Sequence, residues 1–262
     1  MKTGLCVNMF QNNADCTGFG VFEYATKAGF DYFEAPAAQL LALPNQDLDR
    51  EIAHVRSSGL SCLAMNNLFQ AQIRLTGAHI DKTLIDDYID RAIDLGRRLG
   101  AGIFVFGSAG ARNVPMGFPR EKAWEQLVGM LQRFGAKAGK AGVTVVVEHI
   151  NRLESNIVNT FAEGIRLVRD VDLDSVQGFV DYFHLGLGNE TLEAVEENFG
   201  MIRHCHFANL LNRTLPIPTR HEEGVNDFLA LLRRLDYRYG VSVEGYSSLP
   251  ETEIAEARAY LK

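Results

Sequence analysis

Four residues that could bind a metal ion each lie at or near the end of a short apolar run. They are Glu148 after VTVVV, Asp181 after VQGFV, His206 in IRHCHFA and Glu244 after YGVSV. If these runs are neighbouring strands, three carboxylates and one imidazole meet at one end of a sheet. Carboxylates held that close raise each other's pKa unless a cation is present, and a divalent metal would relieve the repulsion. This oxygen-rich set favours Mn²⁺, with Mg²⁺ or Co²⁺ as possible substitutes, over the nitrogen- and sulfur-rich coordination typical of zinc.

The four runs belong to a series that extends along the whole chain. Eight short apolar runs begin near residues 4, 30, 61, 102, 143, 176, 202 and 239. Near-continuous apolar runs are typical of strands that are buried on both faces, as in a parallel sheet. The runs therefore predict eight parallel strands.

The segments between the runs have helical periodicity. In DKTLIDDYIDRAIDLGRRLG, Asp81 is the predicted N-cap and Gly100 the predicted stop. In the next such segment, Pro119 is placed to open a helix and Gly142 to end it. The predicted apolar stripe of the first helix consists of Leu84, Ile85, Tyr88, Ile89, Ala92, Ile93 and Leu99.

Strands that alternate with helices pair in parallel through right-handed crossovers. Eight such units predict an α/β fold, a single (β/α)8 TIM barrel, with one domain over residues 1–262. A doubly wound open sheet would also alternate, but the segment after the first run, CVNMFQNNADCTGFG, lacks the G-x-G-x-x-G phosphate loop. In such a barrel the chemistry lies where the carboxyl ends of the strands converge. The four candidate ligands follow strands five to eight at that end.

Composition excludes several classes of function. The chain has 33 Asp and Glu against 26 Lys and Arg, a net charge of −7, which disfavours nucleic acid as a partner. No stretch approaches the roughly 20 apolar residues of a membrane span, and the N-terminus lacks the apolar core of a signal peptide. A cytoplasmic protein without membrane contact is expected. The four cysteines form no C-x-x-C pair, which predicts free thiols.

On these motifs the chain resembles the xylose isomerase-like TIM barrels of the sugar phosphate isomerase/epimerase superfamily, and within it the ketose 3-epimerases of the tagatose and psicose type. The resemblance covers the whole chain, and its most specific part, EHINRLESN, is similar to the epimerase pattern E-P-x-N-R-x-E-x-N. DYFHLGLGNE, HCHFANLLNRTLP and VEGY continue it. The sequence departs from the pattern at His149, where proline is usual, and in a slightly longer stretch from His206 to Arg213.

The resemblance implies an active site and a partner. Glu148, Asp181, His206 and Glu244 would hold the metal, with Glu148 and Glu244 also acting as the acid/base pair. The partner would be a small sugar, bound by a homodimer or homotetramer. Three residues would contact this substrate near its carbonyl end: Glu154, His184 and Arg213.

Epimerisation of a ketose at C3 removes a proton beside the carbonyl and returns one from the opposite face, so it needs two carboxylates. A metal bound to the carbonyl would stabilise the enediolate as a Lewis acid. Glu148 and Glu244, on strands three apart around a ring of eight, could flank a sugar between them.

Other functions use the same fold. A hydroxypyruvate-type or aldose–ketose isomerase would return the proton to the adjacent carbon, and an inosose or dehydroshikimate dehydratase would eliminate water. An inactive carbohydrate-binding barrel would bind without turnover. The endonuclease branch is disfavoured, because strands three and four end in MNNLF and FGSAG without the extra histidines of a multi-zinc cluster.

Three further residues have two interpretations each. Glu34, at the end of the second run, either contacts the substrate or supports the site, or else forms a structural ion pair. His204 shares strand parity with His206 and is expected one layer deeper, where it is either a structural or supporting residue or a metal ligand, the supporting role being favoured. Arg112, in VFGSAGARNVP, either binds a phosphate or carboxylate of the substrate or lies on the surface.

Overall fold

Eight parallel strands form a closed barrel in the order in which they occur along the chain. The computed structural model describes residues 1–12 and 14–261. The ring closes where the first strand pairs with the last, with Leu5 opposite Val243. The (β/α)8 TIM barrel and all eight predicted strands are thereby confirmed. The strands are β1 (Lys2–Cys6), β2 (Tyr32–Pro36), β3 (Ser61–Asn66), β4 (Ile103–Phe106), β5 (Thr144–Val147), β6 (Val176–Asp181), β7 (Ile202–Phe207) and β8 (Gly240–Val243).

Helices connect the strands and cover the outside of the barrel. Within the described ranges they are α1 (Phe22–Ala28), α2 (Ala37–Ala42), α3 (Asn45–Ser57), α4 (Lys82–Leu99), α5 (Ala109–Arg112), α6 (Arg120–Lys140), α7 (Phe161–Val171), α8 (Tyr182–Leu187), α9 (Leu192–Glu197), α10 (Glu223–Arg234) and α11 (Pro250–Tyr260). A short 3-10 segment, Leu211–Arg213, follows β7 and carries one of the candidate site residues.

The ends of α4 follow the predicted signals, but one residue of its predicted stripe does not. The Asp81 side chain accepts a hydrogen bond from the backbone N–H of Leu84, and Gly100 ends the helix in the left-handed region with φ 80°. Leu84 itself is 47% exposed, so its assignment to the buried stripe is wrong. Helical periodicity predicts which side of a helix is apolar, but it does not predict whether other elements cover that side along the whole helix. In α6, Pro119 and Gly142 flank the helix as predicted.

Two separate apolar layers hold the barrel together. The larger lies between the strands and the helices and includes Leu5, Phe104 and Phe134. The smaller lies inside the ring, where Val105 and its neighbours from β5 and β6 pack together. The side of the interior formed by β2, β7 and β8 is polar instead, and the candidate ligands lie at its open end.

Two further features concern membrane helices and cysteines. No helix among the described residues is long and apolar enough to cross a membrane. The cysteine side chains are free thiols, as predicted.

Candidate metal centre and active site

The side chains of Glu148, Asp181, His206 and Glu244 meet at the carboxyl end of the barrel. Each offers one ligand atom, and these four atoms all lie within 4.8 Å of one another. Asp181 is the last residue of β6, and His206 lies one residue before the end of β7. Glu148 and Glu244 each follow a strand but continue its ladder, because their backbone N–H groups donate to carbonyl oxygens of β4 and β7 at 3.1 and 3.0 Å. The structure therefore brings the four predicted ligands together.

Negative charge is concentrated and buried in this cluster. Burial, and then the charges of Glu244 and Asp181, raise the pKa of Glu148 to about 8. Burial also raises the pKa of Asp181. Burial would raise the pKa of Glu244 too, but Arg213 and His206 outweigh it and lower that pKa to about 2. A divalent cation would compensate this charge, so the donor set fits a metal that binds through oxygen and one imidazole.

His206 is held by a carboxylate on each side of its ring. Its Nδ1 lies 3.0 Å from Oε2 of Glu244, and its Nε2 lies 2.9 Å from both carboxylate oxygens of Glu34. Glu34 is 0% exposed on β2, and its Oε1 also lies 2.5 Å from Nε2 of His204. Burial would raise the pKa of Glu34, but the two histidines outweigh it and lower the pKa, so the carboxylate stays ionised. Glu34 thus contacts a proposed ligand from below, and His204 lies one layer deeper, as expected.

Arg213 reaches the same carboxylates from the segment after β7. Its Nη2 donates to Oδ2 of Asp181 at 3.1 Å and to Oε2 of Glu244 at 2.5 Å. Its guanidinium lies 4.6 Å from the centre of the Phe183 ring. Burial would lower the pKa of Arg213, but the neighbouring carboxylates outweigh it and raise that pKa. The structure places Arg213 in the candidate site, in contact with two of the proposed ligands.

His184 and Glu154 lie beside the cluster and are linked through Asn151. His184 Nε2 is 3.5 Å from Oδ2 of Asp181 and 3.7 Å from Oε1 of Glu148. Asn151 Nδ2 donates to Nδ1 of His184 and to Oε1 of Glu154, both at 2.8 Å. Burial lowers the pKa of His184 to about 3, so its ring is neutral at ordinary pH. Because Nδ1 accepts, the ring proton is on Nε2, which faces the carboxylates.

Several residues that complete the site have no role that is predicted from the sequence. Asn151 lies inside the quoted motif EHINRLESN, but only its position between His184 and Glu154 shows what it does. Asn8 Nδ2 donates to Oε1 of Glu244 at 3.2 Å, and Asn66 Nδ2 donates to Oδ1 of Asn8 at 2.9 Å. Asn8 and Asn66 end or follow predicted strands, and this position is the sequence feature that could have identified them as site residues.

Both sequence interpretations of Arg112 are wrong. The residue is 0% exposed, so it is neither a surface arginine nor open to a substrate phosphate. Its guanidinium donates to the carbonyl oxygens of Phe106 at 3.2 Å, Glu148 at 2.8 Å and Val158 at 3.3 Å. Burial lowers the pKa of Arg112 to about 10, which still leaves it charged at neutral pH. Arg112 joins the end of β4 to the backbone that carries Glu148.

Known proteins resemble the chain along most of its length. Residues 22–262 match the family model described as xylose isomerase-like TIM barrel. An L-ribulose 3-epimerase from Mesorhizobium japonicum is 28% identical over 169 residues, which cover 63% of this chain and 54% of that protein. A 3-dehydro-D-guloside 4-epimerase from Escherichia coli is 26% identical over 236 residues, which cover 86% of this chain and 85% of that protein.

A solved structure gives the same result for the fold. A D-psicose 3-epimerase from Clostridium cellulolyticum H10, solved with D-tagatose, superposes with a TM-score of 0.83. The superposition covers 100% of this chain and 98% of that chain, at 17% sequence identity. At this identity the likeness concerns the barrel alone.

Proposed function

The chain belongs to the xylose isomerase-like TIM barrel family, and we propose that it is a divalent-metal-dependent isomerase that epimerises a ketose at C3. The relatives with epimerase names support an epimerase of small sugars. The buried cluster of three carboxylates and a histidine supports the dependence on a metal.

The pairing of Glu148 with Glu244 carries the proposal. The two side chains extend from β5 and β8, three strands apart in the ring, into one cluster. Their environments differ, because Glu244 accepts hydrogen bonds from Asn8 and Arg213 and lies 3.0 Å from Nδ1 of His206, whereas Glu148 faces other carboxylates. Environments that push the pKa values of two carboxyl groups apart are typical of acid/base pairs. One carboxylate would remove the C3 proton, and the other would return a proton to the opposite face.

We propose that Glu148, Asp181, His206 and Glu244 hold Mn²⁺, with Mg²⁺ or Co²⁺ as substitutes. A cation in this position would act as a Lewis acid toward the substrate carbonyl. The remaining polar side chains would bind and orient the sugar. They are the three residues beside the cluster, Glu154, His184 and Arg213.

The test follows the C3 proton directly. Wild-type protein with Mn²⁺ is incubated with a panel of ketoses in D₂O, and NMR reports which carbon takes up deuterium and which product forms. We expect exchange at C3, and we expect Glu148→Gln and Glu244→Gln each to abolish it. Glu253→Gln, a buried glutamate outside the cluster, serves as the control and should exchange as the wild type does. Full exchange in both site variants would contradict the assigned roles.

The same spectra separate the alternatives. Deuterium at C4 of a keto sugar would favour a 4-epimerase, which the relative from Escherichia coli supports as a second candidate. Transfer between C1 and C2 would indicate an aldose–ketose or hydroxypyruvate-type isomerase, and loss of water a dehydratase. Binding of sugar without exchange or metal would indicate an inactive carbohydrate-binding barrel. We also propose a homodimer or homotetramer, which light scattering after gel filtration would test.

A further inference from the structure

A group of buried polar side chains lies directly below the candidate metal centre and takes no part in the proposed chemistry. It consists of Glu34 on β2, His204 on β7 and Cys6 on β1, each 0% exposed. Burying an ionised carboxylate is costly unless hydrogen bonds satisfy its oxygens. Apolar packing alone therefore does not explain a buried glutamate at position 34.

The hydrogen bonds of Glu34 determine where His206 carries a proton. Both Glu34 oxygens lie 2.9 Å from Nε2 of His206. A carboxylate only accepts hydrogen bonds, so Nε2 must be the donor. Nδ1, on the other side of the ring, lies 3.0 Å from Oε2 of Glu244, so without a cation a proton on Nδ1 would also find an acceptor. A cation bound by the four clustered residues would take the place of that proton. A histidine binds a cation through the ring nitrogen that carries no proton.

We propose that Glu34 is a positioning residue that holds the His206 ring in place and keeps its proton on Nε2, which leaves Nδ1 free to bind the cation. This inference rests on the proposed metal centre. Ligating histidines typically donate their other N–H to a carboxylate, which fixes the ring and its tautomer. His204 supports the arrangement from below, since its Nε2 lies 2.5 Å from Oε1 of Glu34.

A glutamine in place of Glu34 has nearly the same shape, but only one of its two terminal atoms can accept a hydrogen bond. Because both carboxylate oxygens lie 2.9 Å from Nε2 of His206, either orientation of the amide turns an NH₂ group toward that nitrogen. Two donors would then face each other, unless the His206 proton moves to Nδ1. That second tautomer carries its proton on the atom that should bind the metal. Glu34→Gln therefore weakens metal binding without removing much volume from the core.

A competing explanation makes Glu34 a metal ligand itself. Cys6, Glu34 and His206 offer ligand atoms within 4.8 Å of one another. In that arrangement Nε2 of His206 would bind a second cation and could not carry a proton. The two explanations differ in the number of cations per chain and in the presence of an N–H on the ligating ring.

The experiment compares the wild-type chain with Glu34→Gln and Glu253→Gln. Glu253 is a matched control because it is 6% exposed, and its oxygens accept from Ser247 at 2.6 Å and Arg220 at 2.9 Å, outside the cluster. Calorimetry measures the affinity and stoichiometry of Mn²⁺. Proton NMR of the Co²⁺-loaded proteins detects the N–H of a ligating imidazole as a hyperfine-shifted resonance that disappears as it exchanges in D₂O. Circular dichroism of the metal-free proteins checks their folding.

We expect the wild type and Glu253→Gln to bind one cation per chain and to show one such resonance that exchanges slowly, since the N–H is buried and bonded. Glu34→Gln should bind Mn²⁺ about 10- to 100-fold more weakly and lose the resonance or exchange it quickly.

Three results would overturn the proposal. The first is wild-type affinity and an unchanged resonance in Glu34→Gln. The second is two cations per wild-type chain. The third is a wild-type protein that binds Co²⁺ without the slowly exchanging resonance, a result that needs no variant and holds even if Glu34→Gln does not fold. A wild-type protein that binds neither Mn²⁺ nor Co²⁺ would contradict the proposed metal centre, and the role of Glu34 with it. This outcome is distinguishable because the wild type already lacks metal binding, before any substitution.

Discussion

Gly107 and Glu148 are packed so closely that no side chain fits between them. A Cβ atom on Gly107 would lie 2.0 Å from Oε2 of Glu148. Gly107 directly follows β4, and Glu148 directly follows the neighbouring strand β5. The position of the Glu148 carboxylate, a proposed metal ligand and catalytic group, therefore depends on residue 107 being a glycine.

Gly107→Ala should displace the Glu148 carboxylate and lower Mn²⁺ affinity about tenfold or more, as changes beside a metal ligand commonly do. Isothermal calorimetry measures the affinity, and circular dichroism confirms that the barrel still folds. Gly102→Ala is the matched control on the same strand segment, because a Cβ there would have no heavy atom within 4 Å. Equal affinities in the two variants would contradict the dependence on residue 107.

Arg112 should contribute to stability and not to substrate charge recognition. Arg112→Met removes the donor to the carbonyl oxygen of Glu148, whereas the carbonyl oxygens of Phe106 and Val158 keep backbone N–H donors at 3.1 and 3.0 Å. A buried polar group left without a partner costs about 1–3 kcal/mol, so we expect the free energy of unfolding in urea to fall by about that amount. The control is Arg97→Met, whose side chain is 76% exposed in its pair with Asp94, and such a pair is worth less than about 1 kcal/mol. Similar losses in both variants would show that the buried hydrogen bonds add nothing.

The sequence predicts the barrel and the four clustered residues for the same reason. Near-continuous apolar runs indicate parallel strands, and in a closed parallel barrel the residues after those runs share one end. Glu148 and Asp181 could be placed together from their strand positions alone. The substrate side of the prediction comes from the family resemblance of the motifs that contain Glu154, His184 and Arg213, and it stays a prediction.

What the sequence could not predict depends on contacts across the ring. Glu34 and His206 are 172 positions apart, and only the closing and register of the barrel place β2 opposite β7. An arginine in the segment after a strand, such as Arg112 at the end of α5, is usually solvated, and nothing in its neighbours along the chain indicates three buried carbonyl oxygens. The requirement for glycine at residue 107 likewise depends on the rotamer of a side chain on another strand.

His149 should make the protein sensitive to acid. Its ring is 0% exposed, and neither ring nitrogen makes a hydrogen bond to the described residues. Burial lowers the pKa of His149 from 6.5 to about 3, so the unfolded chain binds more protons between these pH values. Its contribution to stability is therefore complete above about pH 6.5 and is lost as the pH falls toward 3, by up to about 1.4 kcal/mol per pH unit.

His149→Leu removes this proton uptake and keeps a similar volume. The difference in unfolding free energy between wild type and variant should be constant from about pH 7 to 8 and move in favour of the variant by about 2 kcal/mol at about pH 5. Urea denaturation at each pH measures it. His54→Leu is the control, because His54 lies on the exposed side of α3. A difference that does not vary with pH would mean that His149 titrates normally in the folded protein.

Asp181 and Glu154 should separate metal binding from substrate binding. Asp181 belongs to the cluster of ligand atoms, whereas Glu154 is exposed and reaches His184 only through Asn151. In EDTA-treated wild type, Mn²⁺ at 100 times its Kd should add about 2.7 kcal/mol to the free energy of unfolding. Asp181→Asn should lose most of this gain, and Glu154→Gln should keep it.

With the ketose that the exchange screen identifies, Glu154→Gln should raise KM about tenfold, because a hydrogen bond to a charged group is worth about 1.5–3 kcal/mol. Thermal unfolding with and without Mn²⁺, paired with steady-state kinetics, measures both effects. If Mn²⁺ no longer stabilised Glu154→Gln, Glu154 would contribute to metal binding and not to substrate binding alone.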